Sequence, residues 1–246
     1  MKFKQSISFF IPAYNEEDNL EAISKEIIGF LSENFEKYEL IIVANVCKDR
    51  TSEIAQRLTR WNKHIRVVQQ KKFVGYGTQL KAGWENAKYD LIFYTDSDRQ
   101  FDISELKKFM RYINKYDIVI GYRKKRRDPL MRIWYSKLYN FALKVTLELW
   151  YKDVDCAFKL CKKEVIDKIK PITQDRGSDA EFLVKSKAYG FKIKQLPVTH
   201  RPRIAGVSEA ESGGKIFVKI KSEIITAMIK EIFQLRKIQR KIITAK

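Results

Sequence analysis

Short apolar runs rich in β-branched and aromatic residues recur along the first half of the chain, at Ile7 to Ile11, Leu40 to Val43, Arg66 to Val68, Leu91 to Tyr94 and Ile118 to Ile120. Each stops abruptly at polar residues, as strands buried on both faces do. Between them Leu20 to Leu31, Ser52 to Trp61, Gln79 to Ala87 and Leu106 to Ile113 repeat apolar residues at three- and four-residue spacing. That period predicts helices with one face against a core. The alternation predicts an α/β domain, a mainly parallel central sheet with helices on both faces.

Open sheets of this kind bind ligands beyond the carboxyl ends of their strands. Tyr14-Asn15-Glu16, Asn45 and Asp96-Ser97-Asp98 each follow a predicted strand directly, so three polar clusters converge on one edge.

Beyond Gly121 the pattern changes. The run Arg123-Lys124-Lys125-Arg126-Arg127 leads into an aromatic-rich amphipathic stretch from Ile133 to Trp150, which holds Trp134, Tyr135, Tyr139 and Phe141. From Lys215 to Lys246 a helical stripe through Phe217, Ile220, Ile224, Ile225, Met228, Ile229 and Ile232 runs among nine basic and two acidic residues. Both segments suit a membrane interface, and both equally suit helices packed on the sheet. No linker-like stretch divides the chain, so a domain over 1–212 with a basic amphipathic tail over 213–246 is expected.

Lys and Arg outnumber Asp and Glu by 49 to 30, a formal charge of +19 that draws anionic partners such as nucleic acid, lipid or phosphorylated substrates. Three cysteines without a CxxC pair and two histidines argue against a disulfide framework or structural zinc. The short basic start lacks the form of a signal peptide, and no uninterrupted apolar window reaches membrane-spanning length. The expected location is cytoplasmic, peripheral at the inner face of the membrane.

Asp96-Ser97-Asp98 with Gln100 places two carboxylates and a carboxamide at alternating positions after an apolar strand. Oxygen ligands so spaced can hold Mg²⁺ or Mn²⁺, although Asp-x-Asp alone is also common turn chemistry. Gly75-Tyr76-Gly77, after Lys71 and Lys72, can bring backbone N–H groups and positive charge towards a diphosphate, or can be a simple loop.

Taken in order, Pro12-Ala13-Tyr14-Asn15-Glu16, Asp49 and Thr51, Gly75-Tyr76-Gly77, Asp96-Ser97-Asp98, Gly121-Tyr122-Arg123, Asp153 to Lys159, Pro197 to Arg203 and Gly206-Val207-Ser208 resemble the family 2 glycosyltransferases. The branch most resembled is that of the dolichol-phosphate mannose synthases. The resemblance implies a GT-A fold and a metal-dependent, inverting transfer of a sugar such as mannose or glucose from a nucleotide-sugar donor to a polyprenyl or dolichyl phosphate. It assigns Pro12, Ala13, Tyr14, Glu16, Val43 and Asn45 to the nucleoside pocket, and Asp96, Ser97 and Asp98 to ribose and diphosphate. It further implies that Asp98 and Gln100 hold the metal, and that Arg123 and Arg203 grip phosphate, with Asp98 and Arg203 central to catalysis. Ala44-Asn45-Val46-Cys47 departs from the family's usual Asp-Asp-Gly-Ser, and Glu209 stands where the synthase branch carries a lysine.

A sugar hydroxyl as acceptor would need a general base, for which Asp179 and Glu181 are the candidates, beside their plainer role as charges near a helix N-terminus. A basic nucleic-acid-binding protein built on the Arg123 to Arg127 run is the non-enzymatic alternative. It would have no use for Asp96, Asp98 and Gln100, so no nucleic acid is expected as partner. The partners expected are the nucleotide sugar, an anionic lipid phosphate, and either a peripheral membrane contact or a membrane protein.

Overall fold

The structure, a computed structural model, describes residues 2–72, 75–124, 130–171, 177–203 and 221–245, without the side chains of 130–132 and 221–224. Lys125 to Arg127, the Gly206-Val207-Ser208 segment, Glu209, Phe217, Ile220 and the expected 212/213 boundary lie outside those descriptions.

Seven strands form one sheet: β1 (Ile7–Ala13), β2 (Tyr38–Ala44), β3 (Ile65–Gln69), β4 (Leu91–Thr95), β5 (Ile118–Arg123), β6 (Phe158–Lys162) and β7 (Ile193–Val198), in the order β3-β2-β1-β4-β6-β5-β7. β1 pairs in parallel with β2 and β4, β2 with β3, and β5 with β7, while β6 runs antiparallel between β4 and β5. The sheet is therefore mainly parallel, as the alternation predicts. β6 and β7 go beyond the predicted strands: β6 reads Phe-Lys-Leu-Cys-Lys and β7 contains Lys, Gln and Pro, so neither is a continuous apolar run.

The helices are α1 (Leu20–Asn34), α2 (Thr51–Trp61), α3 (Tyr76–Asn86), α4 (Leu106–Met110), α5 (Leu130–Leu147), α6 (Lys163–Ile169), α7 (Ser178–Tyr189) and α8 (Lys221–Thr244). α3 opens at Tyr76, earlier than its apolar spacing predicts, and α4 stops at Met110, short of the expected Ile113. Period-two alternation along β1 sends neighbouring rings to opposite faces. Phe9 meets Phe93 edge-on, and Phe93 meets Phe158, which also contacts Phe109 of α4. Phe10 stacks on Tyr94 and meets Trp84 of α3, which stacks on Phe182 of α7. Helices accordingly cover both faces.

The C-terminal helix docks. α8 packs against α5 and α7, burying Leu235 to 2% exposure and setting Met228 and Ile232 against the core. The Tyr139 hydroxyl donates to Glu231, and Gln239 Nε2 donates to the Leu147 carbonyl at 3.1 Å. The expected single stripe is divided, because Ile225 and Ile229 face away from this contact and stay exposed.

Gly83 lets α3 approach β1: an added Cβ would lie 2.3 Å from Phe10 Cδ2. Alanine favours a helix over glycine by about 1 kcal/mol, whereas overpacking a closed core costs about 1–3 kcal/mol. Gly83→Ala should therefore lower stability in urea unfolding, by roughly 1 kcal/mol net; a stabilised variant would contradict this contact.

Candidate active site

β2 lies on one side of β1 and β4 on the other, and the connections leave in opposite directions from this point, with α1 and α3 on opposite faces. A crevice opens at such a switch point, beyond the carboxyl ends of the two strands. The loop after β1 carries Tyr14, Asn15 and Glu16, and the loop after β4 carries Asp96, Ser97 and Asp98. Both loops contain a left-handed residue, Asn15 with φ 53° and Arg99 with φ 61°. Such a conformation costs an arginine about 1–2 kcal/mol, local strain held by the surrounding bonds. Asn15 Oδ1 accepts from Lys48 N at 2.8 Å, and Asp98 Oδ1 accepts from Gln100 N at 3.1 Å. Ser97 Oγ donates to the Pro12 carbonyl at 2.8 Å, tying the two loops together. Asp49 and Thr51 accept from the backbone N–H groups of Glu17 and Glu16, at 3.1 and 2.7 Å.

Arg203 spans the crevice. Its guanidinium lies 2.5 Å from Glu16 Oε1 and 3.8 Å from Asp98 Oδ2, with 17% of the side chain exposed. Burial raises the Glu16 carboxyl, and its bonds from Asn19 and Arg203 oppose that rise. Gln100 Nε2 donates to the Arg201 carbonyl at 2.9 Å, so Oε1 is the atom of that amide able to meet a cation.

Asp96 is half-buried, and burial, then the charge of Asp98, pushes its carboxyl up to about 7. Tyr76 OH donates to Asp96 Oδ1 at 2.9 Å, and burial among carboxylates holds that phenol well above its ordinary value. Two crowded, desolvated carboxylates beside a carboxamide oxygen are a hard donor set that a divalent cation would neutralise, so the residues fit Mg²⁺ or Mn²⁺. Among the described residues no three His, Cys, Asp or Glu side chains converge on one metal position.

Further charges are buried in the second half of the sheet. Arg123, the last residue of β5, forms a forked pair with Asp153, both contacts 2.7 Å, and the two side chains are 9% and 7% exposed. Lys159 of β6, 1% exposed, donates to Asp179 at 2.6 Å and to the Cys156 carbonyl at 2.7 Å, while Tyr94 OH also donates to Asp179. Asp155 is half-buried, and burial, then Asp179 and Asp153, pushes it up to about 7 against the opposing charges of Lys159 and Arg123. Glu181, without solvent exposure, pairs with Lys185 at 2.5 Å.

Residues 8–170 match the model of glycosyl transferase family 2. This chain belongs to that family. Among relatives, glycosyltransferase AglD of Haloferax volcanii is 28% identical over 208 residues, covering 80% of this chain and 33% of that protein. Dolichyl-phosphate beta-glucosyltransferase ALG5C of Trichomonas vaginalis is 29% identical over 211 residues, 78% of this chain and 62% of that protein. An undecaprenyl-phosphate 4-deoxy-4-formamido-L-arabinose transferase of Aeromonas hydrophila is 25% identical over 225 residues, 90% of this chain and 67% of that protein. The chain thus spans between a third and two thirds of the length of these relatives. Its GT-A fold is matched by glucosyl-3-phosphoglycerate synthase from Mycobacterium tuberculosis, solved with Mg²⁺ and uridine diphosphate, at a TM-score of 0.69 and 16% identity over 93% of this chain and 79% of that one.

In this family member, Tyr14, Glu16, Asp96, Asp98, Gln100 and Arg203 gather around the crevice with part of each side chain accessible. Pro12, Ala13, Val43, Asn45 and Ser97 are buried and build its floor. Gln79 bonds the Ala13 and Val43 carbonyls at 3.1 and 3.0 Å. Arg123 lies along the wall in its pair with Asp153, Asp179 sits under the floor with Lys159, and Glu181 is enclosed away from solvent. Sequence reasoning did not single out Tyr76 for its bond to Asp96, nor Lys159 as the partner of Asp179. Tyr76 stood in the sequence between two glycines, a hint of a loop without a hint of its partner.

Because folding holds the Asp155 proton up to about 7, well above the ordinary carboxylate, stability falls as pH rises from about 4 to 7 and stays reduced above that. Asp155→Asn should therefore raise stability by roughly 1–3 kcal/mol at pH 8 and leave it almost unchanged at pH 4, read by thermal unfolding at both values. An equal effect at both values would contradict the burial of this carboxyl.

Proposed function

We propose that this family member transfers a hexose, glucose or mannose, from a nucleoside-diphosphate donor to a polyprenyl phosphate at a membrane surface, with inversion at the anomeric carbon. The observation that carries this is the likeness of 78% to 90% of the chain to transferases named for dolichyl and undecaprenyl phosphate. The crevice at the β1–β4 switch point, where Glu16, Asp98 and Arg203 meet, supports it chemically.

The nucleoside lies over the floor made by Pro12, Ala13, Val43 and Asn45, with Tyr14 and Glu16 at its rim. Asp96 and Ser97 face the ribose, and Asp98 and Gln100 are the residues that hold a Mg²⁺ or Mn²⁺ ion. When bound, the ion neutralises charge that builds on the departing diphosphate. Arg203 stays charged and donates a fork of N–H groups to the same phosphates, with Arg123 reinforcing the field. The acceptor phosphate is already ionised near neutral pH. Its oxygen attacks the anomeric carbon as the bond to the diphosphate oxygen breaks, so the nucleoside diphosphate leaves and no protein base is required. That suits the environments of Asp179, which shares Lys159 with Tyr94, and of Glu181, which no acceptor reaches. The proposed location is cytoplasmic, peripheral at the inner face of the membrane; no helix among the described residues is long and apolar enough to cross it.

Nucleoside diphosphate release from a panel of nucleotide sugars with Mn²⁺ should depend on added polyprenyl phosphate and fall about 10²–10³-fold in Asp98→Ala, with the melting temperature retained. Release indifferent to the lipid phosphate would overturn the acceptor, and full activity in the variant would overturn the role of Asp98.

A further inference from the structure

We propose that Asp155 holds the acceptor phosphate through its carboxyl proton and so admits the acceptor only while that proton is in place, an inference that rests on the lipid-phosphate acceptor proposed above. Asp155 lies on the loop that enters β6. Because β6 runs antiparallel to β4, with Phe158 opposite Thr95, this loop emerges on the same edge of the sheet as Asp96-Ser97-Asp98. β5 is antiparallel to β6 with Ile120 opposite Lys159, so its last residue, Arg123, reaches that edge too. Transfer with inversion needs attack on the anomeric carbon in line with the bond to the departing diphosphate, from the opposite side. With the diphosphate at Asp98 and Arg203, the acceptor enters over the β6 and β5 side, where Asp155 stands.

The groups around Asp155 are engaged with one another. Asp153, on the same loop, accepts the fork of Arg123 from β5. Asp179 of α7 accepts from Lys159 of β6 at 2.6 Å and from Tyr94 OH of β4. Tyr139 of α5 donates to Glu231 of α8, and burial keeps the proton on the Cys156 thiol. Asp155 is half-buried and, among the described residues, enters no hydrogen bond or ion pair.

Arg123 and Lys159 are matched by Asp153 and Asp179, so an ionised Asp155 adds a negative charge that an entering phosphate meets at close range. With its proton the same carboxyl is neutral and donates an O–H to a phosphate oxygen, a strong bond because that oxygen is ionised. The proton stays on Asp155 while another oxygen of the phosphate attacks the sugar. The residue thus binds the acceptor and takes no part in making or breaking bonds.

Linkage fixes the sign. Burial, then Asp179 and Asp153, holds the proton up to about 7 in the free protein, and a bound phosphate holds it more tightly still. Acceptor affinity is therefore complete below that value and falls as pH rises through it. A phosphate monoester loses its second proton near about 6, so the acceptor's own charge is constant over the range in which Asp155 ionises.

Nucleoside diphosphate release by the full chain, at saturating donor and Mn²⁺ with detergent-dispersed polyprenyl phosphate, gives the acceptor KM from pH 6 to 9. In the wild type it should climb by up to about tenfold per pH unit above 7. Asp155→Asn keeps a donor without a charge; its KM should be level across the range and about tenfold below that of the wild type at pH 8.5. Asp155→Leu, which has no donor, should also be level but about tenfold above the wild type at pH 6. The KM for the nucleotide sugar should stay as in the wild type in both variants. A wild-type acceptor KM that does not change with pH, the same climb in Asp155→Asn, or inactivity of Asp155→Asn at pH 6 would overturn the proposal, the last because it would show that the ionised carboxylate is needed. Release that polyprenyl phosphate stimulates at no pH would remove the acceptor itself, and this contact with it.

Discussion

Parallel pairing of β1 with β2 on one side and β4 on the other is the constraint on which the molecule turns. Every residue of β1 is buried, so the strand can serve only as the axis of the sheet. Right-handed crossovers then send α1 and α3 to opposite faces, and the two loops that leave β1 and β4 diverge over a gap. What fills the gap is polar because the backbone there has left the ladder, and its groups need partners. Ser97 supplies one by reaching the Pro12 carbonyl, and the carboxylates of Glu16 and Asp98 are left facing Arg203.

The second half of the sheet solves a different problem, that of burying charge. Lys159 stands on a strand between two others, where an isolated ammonium would be intolerable, and Asp179 from the first turn of α7 meets it there. Arg123 and Asp153 repeat the solution at the end of β5. Replacing either partner alone would leave an uncompensated buried charge, which costs more than the pair itself contributes. These pairs tie β5, β6 and α7 to the wall of the crevice, so the rigidity of the site and the integrity of the fold have the same origin. Asp96 and Asp155, which lack so close a cation, instead hold their protons towards neutrality.

α8 extends the same economy to the periphery. α8 carries six basic and two acidic residues among its 24, and its apolar residues are too many for one packed side. It buries one stripe on α5 and α7 around Leu235 and leaves Ile225, Ile229 and Phe233 outside. The Tyr139–Glu231 contact sets the rotation of α8, because it turns an acid of that helix inward and its cations outward.

The strands β1, β2, β4 and β5 and helices α1 and α2 were legible because continuous apolar runs and 3.6-residue spacing are local properties of sequence. The same holds for the polar clusters at the strand ends, and so for Glu16, Asp96 and Asp98 on one edge. β6 and β7 were not legible, since their lysines are tolerated only through partners distant in sequence or through an edge position. Tyr76 on Asp96, Lys159 on Asp179 and Arg203 across from Asp98 likewise join residues 20 or more positions apart. The sequence by itself determined which segments must be buried and which loops carry carboxylates, because burial and period act residue by residue. Only the tertiary structure decided the strand order, the partner of each buried charge and which stripe of α8 stays outside, because those depend on which surfaces meet once the chain is closed.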